Sequence, residues 1–368
     1  MKRAVIYFGQ NNPRGHKRGV ENVIDVQAAA LKGCRKYYVF FDQACSVNRW
    51  GDIAAIGLRF GRGRFIVLNL LICLLYHRLH ARGYTVIIHS HHYLMSLFLW
   101  KNSDAFSVHD GLWYQKRTVG SRLLPLFWLI EHIVYLRSTA IHCNSQFTYD
   151  NSLLPLRGRR AEIIYCSTPF ERIAPDNSAL APGVSPSPSA VTILSVRSME
   201  PRARVDLILD VAERTRDRGL PFTFVVAGKG PLLGSFRDAV RDRHLESVQL
   251  LGYVGDSTLA YLYANCTMVL LTCEDGEGFG LPVIEGYLFG KPVIASNRCA
   301  VPEVIISREF LVDNDPAEIL QRILALAGAR YPAERFASYY KQRFSFNVIG
   351  AEFLRFYDSL FTGIRGAA

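Results

Sequence analysis

The chain has 368 residues, of which 49% are hydrophobic, 20% charged and 12% aromatic, and its formal net charge is +11. The length exceeds one ordinary core and fits two domains of roughly 150–200 residues, while the apolar fraction excludes wholesale disorder. Eight scattered cysteines without any CxxC pair do not form a disulfide framework or a zinc-ligand pattern, and suit buried thiols in a reducing compartment.

The opening MKRAVIYFG leads straight into a strand-like segment with no cleavable signal, so a cytoplasmic location is expected. Short runs rich in Val and Ile then alternate with segments of helical period. Strands are predicted at Ala4–Phe8, Tyr37–Phe41, Thr85–His89, Ala105–His109, Ala140–Asn144 and Glu162–Cys166. Between them helices are predicted at Val20–Leu31, Phe65–Arg82, Tyr93–Trp100 and Arg122–Leu136. The proline- and serine-rich stretch 174–190 has no apolar period and reads as a linker. After it the alternation resumes, with strands at Thr192–Val196, Phe222–Ala227, Val248–Gly252, Met268–Cys273 and Pro292–Ala295. Helices are expected at Asp206–Asp217, Leu233–Arg243, Ser257–Ala264 and Leu281–Phe289, and three more close the chain at Pro316–Ala327, Pro332–Arg343 and Asn347–Phe361.

Strands alternating with helices predict an α/β fold of two doubly wound, Rossmann-like domains with six- or seven-stranded parallel sheets facing a central cleft. The expected boundaries are 1–173 for the first domain, 174–190 for the linker and 191–345 for the second domain. A C-terminal helix within 346–368 packs back on the first domain in this reading. Ligands of such sheets bind beyond the carboxyl ends of the strands, so the loops there are the candidate sites.

Charge is divided unevenly. Residues 1–180 carry 23 Lys and Arg against 11 Asp and Glu, whereas residues 181–368 carry 20 against 21. A basic half suits an anionic partner, or is merely a soluble basic surface. Two apolar segments with terminal arginines, 62–82 and 122–137, admit two readings: helices lying in an anionic membrane interface, or helices buried on a sheet. For Phe65–Tyr76 the buried reading is preferred; its 12 residues include Asn69 and fall well short of a membrane span.

The segment Glu274-Asp-Gly-Glu-Gly-Phe-Gly-Leu-Pro-Val-Ile-Glu follows an apolar strand. Its glycines let backbone approach a ligand closely, and a helix starting near Leu281 turns free N–H groups toward an anion. Glu277 on the loop and Glu285 in the helix are placed to accept hydrogen bonds from hydroxyls, which suits a sugar and a ribose better than a metal. The Gly228-Lys-Gly-Pro corner follows another strand, and His109 ends a third.

EGFGLPVIEGYLFGKPVIAS followed by VPEVI resembles the signature of family 4 glycosyltransferases, the retaining enzymes of GT-B fold. SVRSMEPR, VVAGKGP, LGYV, HSHHY and SVHDG extend the resemblance over most of the chain. It implies that Glu285 binds the ribose, Glu277 sits beside the donor sugar, and the backbone of Gly278, Phe279 and Gly280 lies against sugar and phosphate. It further implies Gly228 and Gly230 near the base or ribose, Gly19 near the donor, His109 facing the donor sugar, and Arg197 gripping the diphosphate. The family's lysine beside that arginine is missing here, so Arg202 or Arg204 substitutes for it, and Arg18 replaces the first of a usual glycine pair. Asp315 in the DND stretch is read as a helix cap, and no metal or other cofactor is expected.

The implied activity is transfer of a hexosyl group from a nucleoside-diphosphate sugar to a glycan or polyprenyl-diphosphate-linked acceptor in cell-surface polysaccharide synthesis. GDP-mannose or a UDP-sugar is the expected donor. A peripheral position on the inner face of the plasma membrane fits the anionic-partner reading, and nucleic acid is not an expected partner. A nucleotide-sugar 2-epimerase of similar fold, or a basic membrane- or RNA-associated protein without activity, are the alternatives.

Overall fold

The computed structural model describes residues 2–9, 19–59, 61, 63–109, 111–118, 120–154, 161–178, 191–329 and 331–366. Most of the expected linker, together with Arg18 and Asp110, lies outside them. The chain forms two compact units: residues 1–167 with 346–368, and Thr168–Ser345.

The first unit runs β1 (Lys2–Phe8), α1 (Gly19–Ala30), β2 (Arg35–Asp42), β3 (Ser46–Trp50), β4 (Ile53–Arg59), α2 (Arg64–His80) and β5 (Tyr84–Ser90). It continues with α3 (Tyr93–Leu97), β6 (Ser103–Val108), α4 (Leu112–Thr118), α5 (Leu124–Leu136), β7 (Ser138–Cys143), α6 (Gln146–Asp150) and β8 (Glu162–Ile163). The second runs β9 (Val191–Val196), α7 (Val205–Asp217), β10 (Phe222–Ala227), α8 (Leu233–Asp242), β11 (Val248–Gly252), α9 (Asp256–Asn265) and β12 (Met268–Leu271). It ends with α10 (Leu281–Leu288), β13 (Val293–Ser296), α11 (Val301–Val304), β14 (Leu311–Val312), α12 (Pro316–Gly328) and α13 (Ala333–Arg343). The last helix, α14 (Phe346–Gly366), belongs to the first unit, where it packs on α1 and β5.

The first sheet has strand order β3-β4-β2-β1-β5-β6-β7-β8 and is parallel except for the antiparallel edge pair β3–β4. Its eight strands among the described residues exceed the six or seven expected. The added strands β3 and β4 carry little periodic signal: β3 is a largely exposed edge, and it is a strand because it pairs with β4. The strand expected at Glu162–Cys166 shortens to Glu162–Ile163.

Alternate residues of the central strands point to opposite faces. Ala4, Ile6 and Phe8 join Leu68, Ile72 and Leu79 of α2 in one core, whereas Tyr7 meets His89 and Tyr357 of α14 on the other face. The central strands are buried on both sides, as parallel sheets under two helix layers are. Ile66, Leu70 and Leu74 of α2 face solvent, which corrects the expectation that Phe65–Tyr76 is buried: the segment is apolar all round, and only one side of it meets the sheet.

The second sheet is parallel, with order β11-β10-β9-β12-β13-β14. Chain order moves outward from β9 to β11 and then restarts on its other side with β12, so the topology reverses between β9 and β12. At the start of α12 the Asp315 carboxylate accepts the Ala317 N–H at 3.0 Å beside Pro316, the cap expected from the sequence.

Candidate functional site

The reversal between β9 and β12 brings two loops together beyond the strands' carboxyl ends. Arg197 follows β9, and the 272–280 loop follows β12. Arg197 Nη1 donates to Glu277 Oε2 at 2.7 Å, and Gly280 N donates to Glu277 Oε1 at 3.0 Å. Burial acts to raise the Glu277 carboxyl, but Arg197, Arg202 and the Gly280 N–H outweigh it, and the group titrates below its ordinary value. Glu277 is therefore a carboxylate at neutral pH. Arg197 is itself buried, and its Nε has no hydrogen-bond partner among the described residues.

Gly280 occupies the left-handed region, with φ 94°, at the N-cap of α10. Its N–H was expected to be open to an anion; the structure gives it to the chain's own Glu277. Gly278 and Phe279 are buried beside it, and the Phe279 ring packs edge-on against Phe344.

The two arginines considered as the lysine's substitute are placed differently. Arg204 bonds both Asp206 carboxylate oxygens and, through Nη1, Glu274 Oε2 at 2.6 Å. Arg202 is more exposed: its Nη1 donates to Gly276 O at 2.7 Å and its Nε to Glu200 at 3.0 Å. Arg204 thus clamps β-strand loops to one another, while Arg202 lies along the glycine loop. Asn314 completes that clamp, donating to Cys273 O and Glu274 Oε2 at 2.9 and 3.0 Å.

Gly228 and Gly230 brace the backbone that carries Arg197. A Cβ on Gly228 would lie 1.8 Å from Arg197 O, and φ there is 142°; a Cβ on Gly230 would lie 2.5 Å from Met199 O. Gly228→Ala is expected to destabilise the second unit by about 3 kcal/mol or more, through backbone strain and displacement of the Arg197 carbonyl. Thermal unfolding checks this, with Gly234→Ala as the control. Gly234 is in α8 with nothing near its would-be Cβ, so alanine there leaves stability unchanged or raises it.

Glu285 lies in α10, buried. Tyr263 OH donates to its Oε2 at 2.7 Å and Thr168 Oγ1 to its Oε1 at 3.4 Å. Burial, with the Glu285 carboxylate beside it, keeps the Tyr263 phenol protonated well beyond its ordinary range. Neither Tyr263 nor Thr168 carries a motif, and only the fold brings them to Glu285.

In the first unit the sheet reverses between β1 and β5. Gly19 begins α1, and the loop before it lies outside the described residues. His109 follows β6, and its Nε2 lies 3.0 Å from His91 Nδ1, with the rings stacked. His91 stacks in turn on His89 at 4.4 Å between centroids, and His91 Nε2 is buried with no partner among the described residues. His89 bonds Tyr357 OH at 2.5 Å and Ser107 Oγ at 2.9 Å; Ser107 bonds His142 Nδ1 at 2.9 Å. His142 Nε2 meets the Ile164 carbonyl at 2.9 Å. Burial lowers all four imidazoles, His142 to about 4 and His109 to about 3, with the neighbouring histidines depressing His89, His91 and His109 further.

Among the described residues no group of three or more His, Cys, Asp or Glu side chains is placed to hold a metal ion. All eight cysteines are free thiols.

Residues 185–343 match the family model described as glycosyl transferases group 1. The chain is 27% identical over 136 residues to an uncharacterised glycosyltransferase of Methanocaldococcus jannaschii, covering 36% of this chain and 37% of that one. It is 40% identical over 78 residues to O-antigen chain mannosyltransferase B of Escherichia coli, covering 21% and 20%. The chain therefore spans less than half the length of these curated relatives.

Among solved structures, sucrose-phosphate synthase of Thermosynechococcus elongatus superposes with a TM-score of 0.79 at 18% identity, over 98% of this chain and 100% of that one. Anabaena HepE in complex with UDP and glucose superposes at 0.73 and 16% identity, over 97% and 100%. At such identities the likeness establishes the fold alone. The chain has the GT-B fold, and its second unit carries the match to glycosyl transferases group 1.

Proposed function

We propose that the protein is a retaining glycosyltransferase of the family 4 type, moving a hexosyl group from a nucleoside-diphosphate sugar to a hydroxyl of a glycan or polyprenyl-diphosphate-linked oligosaccharide in cell-surface polysaccharide synthesis. One observation carries the reading: a buried arginine at the topological reversal of the second sheet, held by Glu277 through Nη1 and with Nε unpartnered. A buried guanidinium with an unsatisfied donor costs stability unless an anion completes it. A diphosphate is such an anion, since its oxygens suit the guanidinium's fixed fork. The match of residues 185–343 and the fold support the same reading. For the donor, the likeness to an O-antigen chain mannosyltransferase supports a mannosyl donor such as GDP-mannose, and the likeness in fold to HepE, solved with UDP and glucose, supports a UDP-sugar.

In the proposed reaction the bond between the anomeric carbon and the leaving phosphate oxygen breaks as the acceptor oxygen bonds that carbon from the same face. The acceptor's proton passes to the leaving phosphate. Arg197 and Arg202 stabilise the charge growing on the diphosphate, which is the kind of contribution that dominates many enzymatic rates. Glu277, held as a carboxylate, favours the positive charge developing on the sugar. His109 is a neutral imidazole, so it exchanges hydrogen bonds with a sugar hydroxyl instead of carrying charge. Gly278 lets the main chain approach the nucleotide, whereas Gly228 and Gly230 make room for the Arg197 and Met199 carbonyls and so act by bracing the loop that carries Arg197.

Glu285 is assigned to the ribose hydroxyls. Glu285→Gln is expected to weaken donor binding by about ten-fold, since a charge-assisted hydrogen bond becomes a neutral one and the Tyr263 contact weakens. Calorimetric titration of GDP and UDP checks it. The whole reading is tested by thermal shift with GDP-mannose, GDP, UDP-glucose and UDP, because a ligand bound only by the folded state raises apparent stability. A shift with one base supports the reading and fixes the donor class; no shift with any nucleotide overturns it. Proton NMR of the product then reports whether the anomeric configuration is retained. A released 2-epimer without any acceptor indicates the epimerase instead.

A further inference from the structure

The buried histidines of the first unit fall into two hydrogen-bonded groups, and the proton positions in each follow from their partners. In the first group the Ile164 carbonyl can only accept, so His142 Nε2 carries a proton. His142 is neutral, which leaves its Nδ1 bare to accept the Ser107 hydroxyl. With its one proton spent, Ser107 Oγ accepts from His89 Nε2 at 2.9 Å and from Gln27 Nε2 at 3.3 Å. His89 Nδ1 is then bare and takes the proton of Tyr357, whose oxygen lies 2.5 Å away against 3.5 Å for Gln27 Oε1. Every ring nitrogen of this group is satisfied, and one backbone carbonyl sets the direction of the whole chain.

The second group is the pair His91 and His109, which stands beside that chain. The His91 ring is stacked between His89 and His109, with centroids 4.4 and 5.3 Å away, and its backbone N–H meets the Phe8 carbonyl. Both imidazoles are neutral, so a single proton lies between His91 Nδ1 and His109 Nε2. If His109 supplied it, the proton of His91 would sit on Nε2, a buried N–H without a partner among the described residues. If His91 supplies it, Nε2 is a bare lone pair. An orphaned buried donor is the rarer and costlier of the two, so His91 is the donor.

His109 therefore carries its own proton on Nδ1. His109 is half-buried where His91 is buried, and its Nδ1 takes no part in the hydrogen bonds among the described residues. Its backbone is fixed as well, since Asn144 Nδ2 donates to the His109 carbonyl at 3.0 Å. Ring, tautomer and main chain are all set before any ligand arrives, which is the arrangement that preorganises a donor.

The geometry points to His91 as a positioning residue: its Nδ1–H holds His109 in the Nδ1-protonated form, so that His109 presents an N–H donor, and not a lone pair, to an oxygen of the transferred sugar. The inference rests on the reading of His109 as the histidine that faces the donor sugar.

Nitrogen-15 NMR of the histidine side chains in the ligand-free protein tests the tautomer, because a protonated ring nitrogen and a bare one resonate far apart. His109 is expected to show Nδ1 protonated and Nε2 bare. In His91→Leu the proton should move toward Nε2, the position a free imidazole side chain favours, and kcat should fall about ten-fold or more, as when an outer partner that orients a histidine is lost. Affinity for GDP and UDP, which lack the sugar, should match the parent. His91→Asn places an amide nitrogen where Nδ1 stood and should recover most of the lost turnover. Tyr357→Phe, in the satisfied chain, should lower the melting temperature without moving the His109 tautomer or kcat, which separates positioning from packing. The parent spectrum decides the tautomer even where His91→Leu does not fold. A proton on His109 Nε2 in the parent overturns the inference, as does an asparagine variant no more active than the leucine one. Unchanged kcat in His109→Ala overturns instead the reading of His109 on which the inference rests.

Discussion

Replacing Arg197 with alanine is expected to lower kcat/KM for sugar transfer by about 10²–10³-fold, the usual consequence of deleting one preorganised donor from a developing negative charge. Arg197 is buried at the end of β9 and already oriented by its 2.7 Å bond to Glu277. Little reorganisation is therefore needed when the leaving diphosphate gains charge. Arg197→Lys retains the charge but not the planar fork, and should recover only part of the loss. The substitution also strips Glu277 of its main partner, and the carboxyl should rise from its depressed value toward neutrality. Arg197→Ala combined with Glu277→Gln removes that half-buried charge left without its arginine, so it should restore stability without restoring activity. Steady-state kinetics beside thermal unfolding separates the two effects. A single alanine variant with unchanged kcat/KM on a confirmed donor would sink the role given to Arg197.

The second large effect is acid instability. His89, His91, His109 and His142 are held neutral in the fold, with His142 titrating at about 4 and His109 at about 3. In the unfolded chain each takes a proton near pH 6.5. Below that pH the unfolded state binds more protons than the folded one, so stability falls as pH falls. It is fully present above pH 6.5 and is lost from there down toward about 4. Each histidine adds up to about 1.4 kcal/mol per pH unit to the slope, and four together up to about 5 kcal/mol per pH unit. Thermal or urea unfolding between pH 7.5 and 4.5 should show the loss in the first unit. His142→Asn should flatten the slope by about one proton while costing stability at pH 7.5, because Ser107 and the Ile164 carbonyl each lose a partner. A melting temperature that does not change between pH 7 and pH 5 would contradict the buried neutral chain.

Much of the second unit is legible in its sequence. The strands from Thr192 to Ala295 and the helices between them recur within one or two residues, because each is a short buried run bounded by glycine, proline or a polar turn. Asp315 announces its helix through the proline that follows it. The first unit is less legible at its edge. There β3 is exposed and β4 contains two alanines and a glycine, so neither shows the period of a half-buried strand. The outward leucines of α2 are invisible for the opposite reason: a helix apolar on all sides does not say which side meets the sheet.

The sequence alone determined the alternation of strands and helices, the glycine loop with Glu277 and Glu285, the arginine after β9 and the basic first half, since each is a local pattern of residue types. It could not determine that Arg197 closes on Glu277 across 80 positions, that Arg204 is committed to Asp206 and Glu274 while Arg202 follows the loop, or that Tyr263 and Thr168 meet Glu285. Nor could it show His89 meeting a tyrosine 268 residues away. The Arg197–Glu277 pairing comes from the strand order, the Tyr263–Glu285 pairing from the packing of α9 beside α10, and the His89–Tyr357 pairing from the return of α14 to the first unit. In each sheet the chain leaves on one side of a central strand and returns on the other, and that reversal brings distant loops to the same end of neighbouring strands.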